Sequence, residues 1–243
     1  MAALSGATPS EFGRALAERR RRARLRRLTG AGVGAALLLL AGLLVYLFWF
    51  SPVLTARQTT VSGTQLLSEV DVLAAAQVPL GTPLAGIDTA GITSRVAALA
   101  PVASVSVRAE YPSTLAIAVT ERTAVYQRAV EGGHQWVDGT GVGFHVAGSR
   151  QPDLPLAVVG GEDHRLLADV ATVVSHLPGE LRPRLEQVTA PAVDQVTVEL
   201  VDGDRVVWGS AEESELKSEV LATLLQVDAT VYDVSAPRYP TTK

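Results

Sequence analysis

The residues whose types could do chemistry are few. Glu121-Arg122 sets a carboxylate beside a guanidinium, a pair that could move a proton or hold a substrate acid. At the end of an alternating segment the plainer reading is a solvated or locally paired charge. His134, His145, His164 and His176 could ligate a metal, but no His-x-x-x-His pair falls on a helix and no cysteine completes a thiolate site. They read as surface or internally satisfied histidines. Gly30, Gly32 and Gly34 copy the spacing of a dinucleotide loop, yet they open an apolar run with no strand before them. Small residues at 30 and 34 could let a partner helix approach, or could simply face lipid. The sequence reads as carrying no G-x-S-x-G elbow, no P-loop and no S-x-x-K acyl-enzyme motif. The sequence therefore assigns no catalytic, cofactor-binding or metal residue, and the cofactor expectation is none.

With so little to support catalysis, the elements that would carry a site become the argument. Residues 31–50 are uncharged and mostly apolar. At about 1.5 Å per residue a helix of that length covers roughly 30 Å, the thickness of a hydrocarbon core. The run ends in Leu47, Phe48, Trp49 and Phe50 rather than a small-x-small cleavage pattern, so it predicts a retained transmembrane helix with Tyr46 and Trp49 near the far interface. Eight arginines, at 14, 19, 20, 21, 22, 24, 26 and 27, precede it against Glu11 and Glu18, which keeps the amino-terminal side cytoplasmic. Removing those charges from totals of 21 basic and 25 acidic residues leaves 13 and 23, a net −10 from residue 31 onward. A basic run pressed against a span is explained by topology and by the anionic lipid of the bilayer, which argues against a nucleic-acid partner. The absence of cysteine excludes a disulfide framework.

Beyond the span, residues 58–62 read as a short strand ending at Gly63. Ser68 and Asp71 mark a helix start, and a second helix runs from about Thr89 to Leu99 with Ile92, Val96 and Leu99 on one stripe. Ala103, Val105, Val107 and Ala109, then Leu115, Ile117 and Val119, alternate with polar or small residues as half-buried strands do. The order is β-α-α-β-β. From Ala124 the organisation changes. Trp136 to Val142 reads as two strands around a glycine-rich turn, and Leu166, Leu167, Val170, Val173, Val174 and Leu177 share one helical face. Val196, Val198 and Leu200 lead into the Asp202-Gly203 hairpin signal, and Arg205 to Trp208 return. Ser210 and Glu213 suggest a capping box for a helix carrying Leu216, Val220, Leu221, Leu224 and Leu225.

The first of these units resembles the POTRA domain of the FtsQ/DivIB family of bacterial cell-division proteins. The residues that carry the likeness are Val61-Ser62-Gly63, Pro83-Leu84 with Ile87-Asp88, Pro101-Val102, and Tyr111 to Leu115 leading to Glu121-Arg122. Val137-Asp138, the 202–203 hairpin, Gly209 and Lys217 are similar to the carboxy-terminal domain of that family. The fold class is accordingly α+β: one transmembrane helix, a β-α-α-β-β POTRA-like domain, and a mixed, mainly antiparallel β domain with helices. Boundaries fall at 1–30 for the basic tail, 31–50 for the span and 51–56 for a linker. They continue at 57–123 and 124–235 for the two domains, and 236–243 for a flexible tail.

The resemblance implies a non-enzymatic bitopic scaffold of the divisome at the septum. It would link FtsB- and FtsL-type partners and help regulate septal peptidoglycan synthases, with its carboxy-terminal domains outside the cell membrane. The alternative is an anchored extracytoplasmic enzyme acting on the wall or on surface proteins. Thr230, Val231, Tyr232, Asp233 and Val234 have the composition of a last strand that Pro237 and Pro240 prevent from continuing. At a sheet edge such a strand could accept a partner segment by β-augmentation, and the resemblance places the FtsB-type partner there. The competing reading is that the strand completes the sheet and residues from Pro237 on protect its edge.

Overall fold

The structure, a computed structural model, describes residues 30–47 and 52–243. The expectations for the basic tail and for Trp49 fall outside the described residues. Helix α1, Gly30–Leu47, is long and apolar enough to cross a membrane and is exposed along its whole length. Packing divides the described residues into two units, one holding 30–47, 52–60, 78–88 and 108–116, the other 61–77, 89–107 and 117–243.

In the first unit, the segment read as a linker is tied down. A 3-10 turn spans Pro52–Leu54, Thr55 forms an isolated antiparallel bridge with Pro83, and Ala56 is fully buried. The Ala56 N–H donates to the Thr82 carbonyl at 2.9 Å, and Gly81 N–H donates to Ala56 at 2.8 Å. Leu84, Ile87 and Leu115 are buried apolar residues of this unit.

The strands β1, Gln58–Ser62, β2, Val102–Glu110, and β3, Thr114–Glu121, form a three-stranded sheet in the order β1-β3-β2. In the second unit, helices α2, Glu69–Ala76, and α3, Thr89–Ala97, pack together. The Ser68 hydroxyl accepts the Asp71 N–H at 3.1 Å, the N-cap that the sequence predicts. Arg95 of α3 donates through Nη2 to the Ala76 carbonyl at 2.7 Å, putting a cation on the carbonyl end of α2. Val72, Ala76, Ile92, Val96, Ile117 and Val119 are buried, and Thr120 is exposed, as the alternation of β3 requires. The alternation of β2 holds less well. Val102 is buried and Ala103 exposed, with Val105, Val107 and Ala109 only half-buried, because this strand lies at the margin of its sheet. α3 stops two residues before Leu99, whose N–H donates to Val96 as the chain turns toward Pro101.

The remainder of the second unit is a nine-stranded sheet, ordered β12-β11-β10-β9-β8-β7-β4-β5-β6. Its strands are β4, Ala124–Val130; β5, Gly133–Asp138; β6, Gly143–Ala147; β7, Leu156–Val159; β8, Leu185–Ala190; β9, Val196–Leu200; β10, Arg205–Gly209; β11, Val231–Asp233; and β12, Thr241–Thr242. The β4/β7, β7/β8 and β10/β11 pairs are parallel and the other pairs antiparallel. Helix α4, His164–His176, contributes five residues of its predicted face, and its C-cap Leu177 the sixth, to one core with Tyr126, Val137, Val188, Val198, Val206 and Trp208, each such burial being worth about 1.5–3 kcal/mol. Helix α5, Ser214–Leu224, departs from expectation at its start. Glu213 is the N-cap in the left-handed region at φ 51° and makes no side-chain cap, so Ser210 and Glu213 form no capping box.

Candidate functional site

Glu121 and Arg122 end β3, and both charges are engaged. The Glu121 carboxylate accepts N–H donation from Gln65, Leu66 and Leu67 at 2.9–3.1 Å, closing the loop after β1. Burial pushes its pKa up, but the three amides outweigh that and hold it below the ordinary carboxylate value. Gly63 begins this loop at φ 85°, where an added Cβ would meet the Val119 carbonyl at 2.0 Å, so only glycine fits. Arg122 donates through Nε to the Ala100 carbonyl at 3.1 Å and through Nη1 to Asp138 at 2.5 Å. Asp138 is buried, and its other oxygen accepts Thr140 N–H, Thr140 hydroxyl and Val142 N–H at 2.7–3.0 Å. Burial raises its pKa too, yet these donors and Arg122 hold the carboxyl below its ordinary value. The Val137-Asp138 motif is thus the organiser of the β5–β6 turn. At Gly141 of that turn, φ 84°, an added Cβ would meet the Ala168 nitrogen of α4 at 2.5 Å. A pair that could have been an acid and a base is a latch.

The histidines are dispersed over β5, β6 and the two ends of α4. Among the described residues no group of three or more His, Asp or Glu side chains is placed to hold a metal. The His145 and Trp136 ring centroids lie 4.7 Å apart with the planes tilted by 58°, and the His176 ring nitrogen Nδ1 lies 2.8 Å from the Thr172 carbonyl.

Lys217 was legible only as a family feature, and the structure shows it fully buried in α5. With Ser214 it has the Ser-x-x-Lys spacing of serine–lysine acyl enzymes, which corrects the reading above that the chain holds no such motif. The geometry separates the two. Nζ donates to the Ser210 carbonyl at 2.8 Å and lies 3.3 Å from Ser210 Oγ, while Ser214 Oγ donates to Ala211 at 2.8 Å and accepts from Trp208 Nε1 at 3.2 Å. Burial lowers the lysine pKa, opposed by Glu213, Glu212 and Asp194. Both residues therefore fix the turn between β10 and α5.

The five residues of the expected partner strand separate by environment. Val231–Asp233 form β11, pairing β10 in parallel from Arg205↔Val231 to Val207↔Asp233. Tyr232 and Val234 are core residues, and the Tyr232 hydroxyl donates to Val227 at 3.0 Å, so Tyr232 is not an exposed aromatic anchor. Thr230 is exposed, and Val231 and Asp233 are half-buried. Nor is β11 outermost. The chain turns at Ala236–Tyr239 around a buried Pro237 and returns as β12, pairing Tyr232↔Thr242 and Asp233↔Thr241. The Lys243 carbonyl accepts the N–H groups of Thr230 and Val231 at 2.8 and 3.0 Å. Proline at 237 and 240 ends one strand without preventing the next from adding beside it. The margin of the sheet is Thr241–Thr242, both exposed, and no described strand pairs their far side.

Comparison with known proteins matches residues 54–122 to the family model "POTRA domain, FtsQ-type" and residues 124–236 to "Cell division protein FtsQ/DivIB, C-terminal". Proteins named Cell division protein FtsQ are similar along most of the chain. That of Mycobacteroides abscessus is 36% identical over 199 residues, covering 81% of this chain and 64% of its own. That of Mycolicibacterium smegmatis is 36% identical over 221 residues, covering 90% and 65%. That of Streptomyces bingchenggensis is 35% identical over 236 residues, covering 91% and 88%. The chain thus spans about two thirds of the length of the two mycobacterial relatives.

Proposed function

The chain belongs to the FtsQ/DivIB family of cell-division proteins, and on that footing we propose that it is a non-enzymatic, single-span scaffold of the division machinery. The observation that carries the reading is the pairing, in one chain, of both FtsQ-type domains behind a helix long and apolar enough to cross a membrane. The two domains, 57–123 and 124–235, face the outside of the cell membrane, and the arginine-rich start faces the cytoplasm. There they hold FtsB- and FtsL-type partners at the septum and help regulate septal peptidoglycan synthases.

The partner segment adds as a strand at the margin built by Thr230–Val234 and Thr241–Thr242, taking affinity from main-chain bonds and specificity from alternate side chains. Exposed backbone at an unpaired sheet margin is what supports this placement. Capture of an FtsB-type partner from membranes by the tagged full chain tests it. Thr241→Pro, and separately deletion of residues 240–243, should abolish capture while hydrogen exchange across 124–200 is unchanged. Deletion from residue 229 is a poorer test, because it removes Tyr232 and Val234 from the core. Capture that survives both changes moves the site to the POTRA-type domain. For topology, cysteines introduced at Ser5 and Ser235 should be shielded from and open to an impermeant thiol reagent, respectively. The reverse labelling inverts the orientation.

A further inference from the structure

We propose that a second surface, the cleft between the 150–155 segment and the end of α4, binds an acidic protein segment that carries an apolar side chain between two carboxylates. The cleft encloses about 330 Å³, with a smaller recess of about 90 Å³ sharing Asp153, Leu154, Pro155, Arg182 and Leu185. Its floor is apolar, from Val125, Leu154, Val174, Leu177 and Leu185. Arg182 lines both spaces, and Arg150 lines the recess.

Two observations make it a built site. The first is that one wall is held by a dedicated buried side chain. Gln127, fully buried, donates through Nε2 to the carbonyls of Gln151 and Leu154 at 2.5 and 2.7 Å, and its Oε1 accepts the Gln151 N–H at 2.9 Å. A buried amide that satisfies three backbone groups fixes the loop before anything binds, which reduces the ordering cost of association. The second is charge. Acidic residues outnumber basic ones 23 to 13 from residue 31 onward, yet this rim carries two guanidiniums and a single carboxylate, Asp153. Arg122, Arg128, Arg184 and Arg238 each pair with a carboxylate; Arg150 and Arg182, both exposed, form no ion pair among the described residues. A guanidinium fork fits a carboxylate in two-point geometry, and two of them beside an apolar floor select an acidic segment with an aliphatic side chain between. Asp153 faces the same recess and favours an occupant that presents an N–H there. The cleft is built on β4, α4 and β8, separate from β11 and β12, so it does not depend on the strand-addition reading.

The test uses the full chain in detergent micelles and a fluorescein-labelled peptide, Ser-Glu-Leu-Val-Glu-Ser, with a Gln-for-Glu version as control. Anisotropy should show saturable binding that is at least tenfold weaker for the control and for Arg150→Gln/Arg182→Gln, whose folding is verified by an unchanged melting curve. Thr241→Pro should bind the peptide as the unsubstituted chain does. Equal affinity for both peptides, insensitivity to the double substitution, or no saturation overturns the proposal. So does a result in which the two arginines instead govern binding to vesicles containing anionic lipid, since the ligand would then be a headgroup.

Discussion

The latch around Glu121, Arg122 and Asp138 and the margin at β11 and β12 dispose of polar groups in opposite ways. At the latch, one carboxylate closes a loop through three amides, one guanidinium bridges a carbonyl and a buried acid, and that acid organises a turn. At the margin, two exposed threonines add to β11, and no described strand pairs their outer backbone. The reactive side chains of the latch are engaged in the fold, whereas the margin presents backbone that no described strand pairs. The lesson is that in this molecule function is sought where hydrogen-bonding capacity remains, not where the residue types are most reactive.

That contrast can be broken most severely on β3, the strand that delivers Glu121. Ile117→Asp puts an unpaired carboxylate in a fully packed position and should unfold its domain, costing several kcal/mol against a typical stability of about 5–15. Thr120→Asp, exposed on the same strand, should stay within about 0.5 kcal/mol; equal melting losses would mean the two faces are not distinct. Next in size, Asp138→Ala leaves Arg122 without its acid and the 139–142 turn without its acceptor, at roughly 2–4 kcal/mol by denaturant titration. A loss under 0.5 would deny the latch any structural role.

Acid should reveal the same groups more gently. Glu121 and Asp138 both have folded pKa values below their ordinary ones, so their contribution is present above the unfolded pKa, near 4, and is lost as pH falls through the lower folded values. Melting temperature should therefore fall on acidification below about pH 4, and Glu121→Gln should flatten that fall while costing about 1 kcal/mol at neutral pH. An unaltered acid limb in Glu121→Gln would remove Glu121 from the account. The smallest stability effect belongs to the margin. Thr241→Pro should change stability by less than about 0.5 kcal/mol and yet eliminate partner capture, so a large melting loss would show that β12 is part of the core structure instead.

Sequence made the regular elements legible where one periodicity ruled. The α4 stripe, the alternation of β3 and β9, and the Asp202-Gly203 turn all stand because a single buried face dictates each pattern. β4, β7 and β8 were not separable. They are central strands paired in parallel across long connections that contain other elements, so no hairpin signal joins one to the next. The Ser210 and Glu213 spacing failed because a left-handed Glu213 replaces the capping box and the turn is secured instead by Lys217, whose burial no charge pattern announces. At the partner strand, composition identified β11 but not the return of the chain, since a two-residue strand has no periodicity to read. The Arg150 and Arg182 cleft was invisible for a related reason: its residues come from four separate stretches, and the glutamine that holds it looks like any polar residue in a strand.

The order of the nine-stranded sheet also has a history in it. After β7 is laid beside β4, every later strand joins the one synthesised just before it, through β8, β9, β10 and β11 to β12. Growth on this side is an accretion in which each newcomer uses the free ladder its predecessor exposes. For a chain made amino terminus first, β12 is laid down after the eight strands of this sheet that precede it, so on the proposed strand-addition reading a partner would meet a sheet whose earlier strands are already in place. On that reading the order of synthesis is a timing device, and an incoming segment would be the next increment of the same growth.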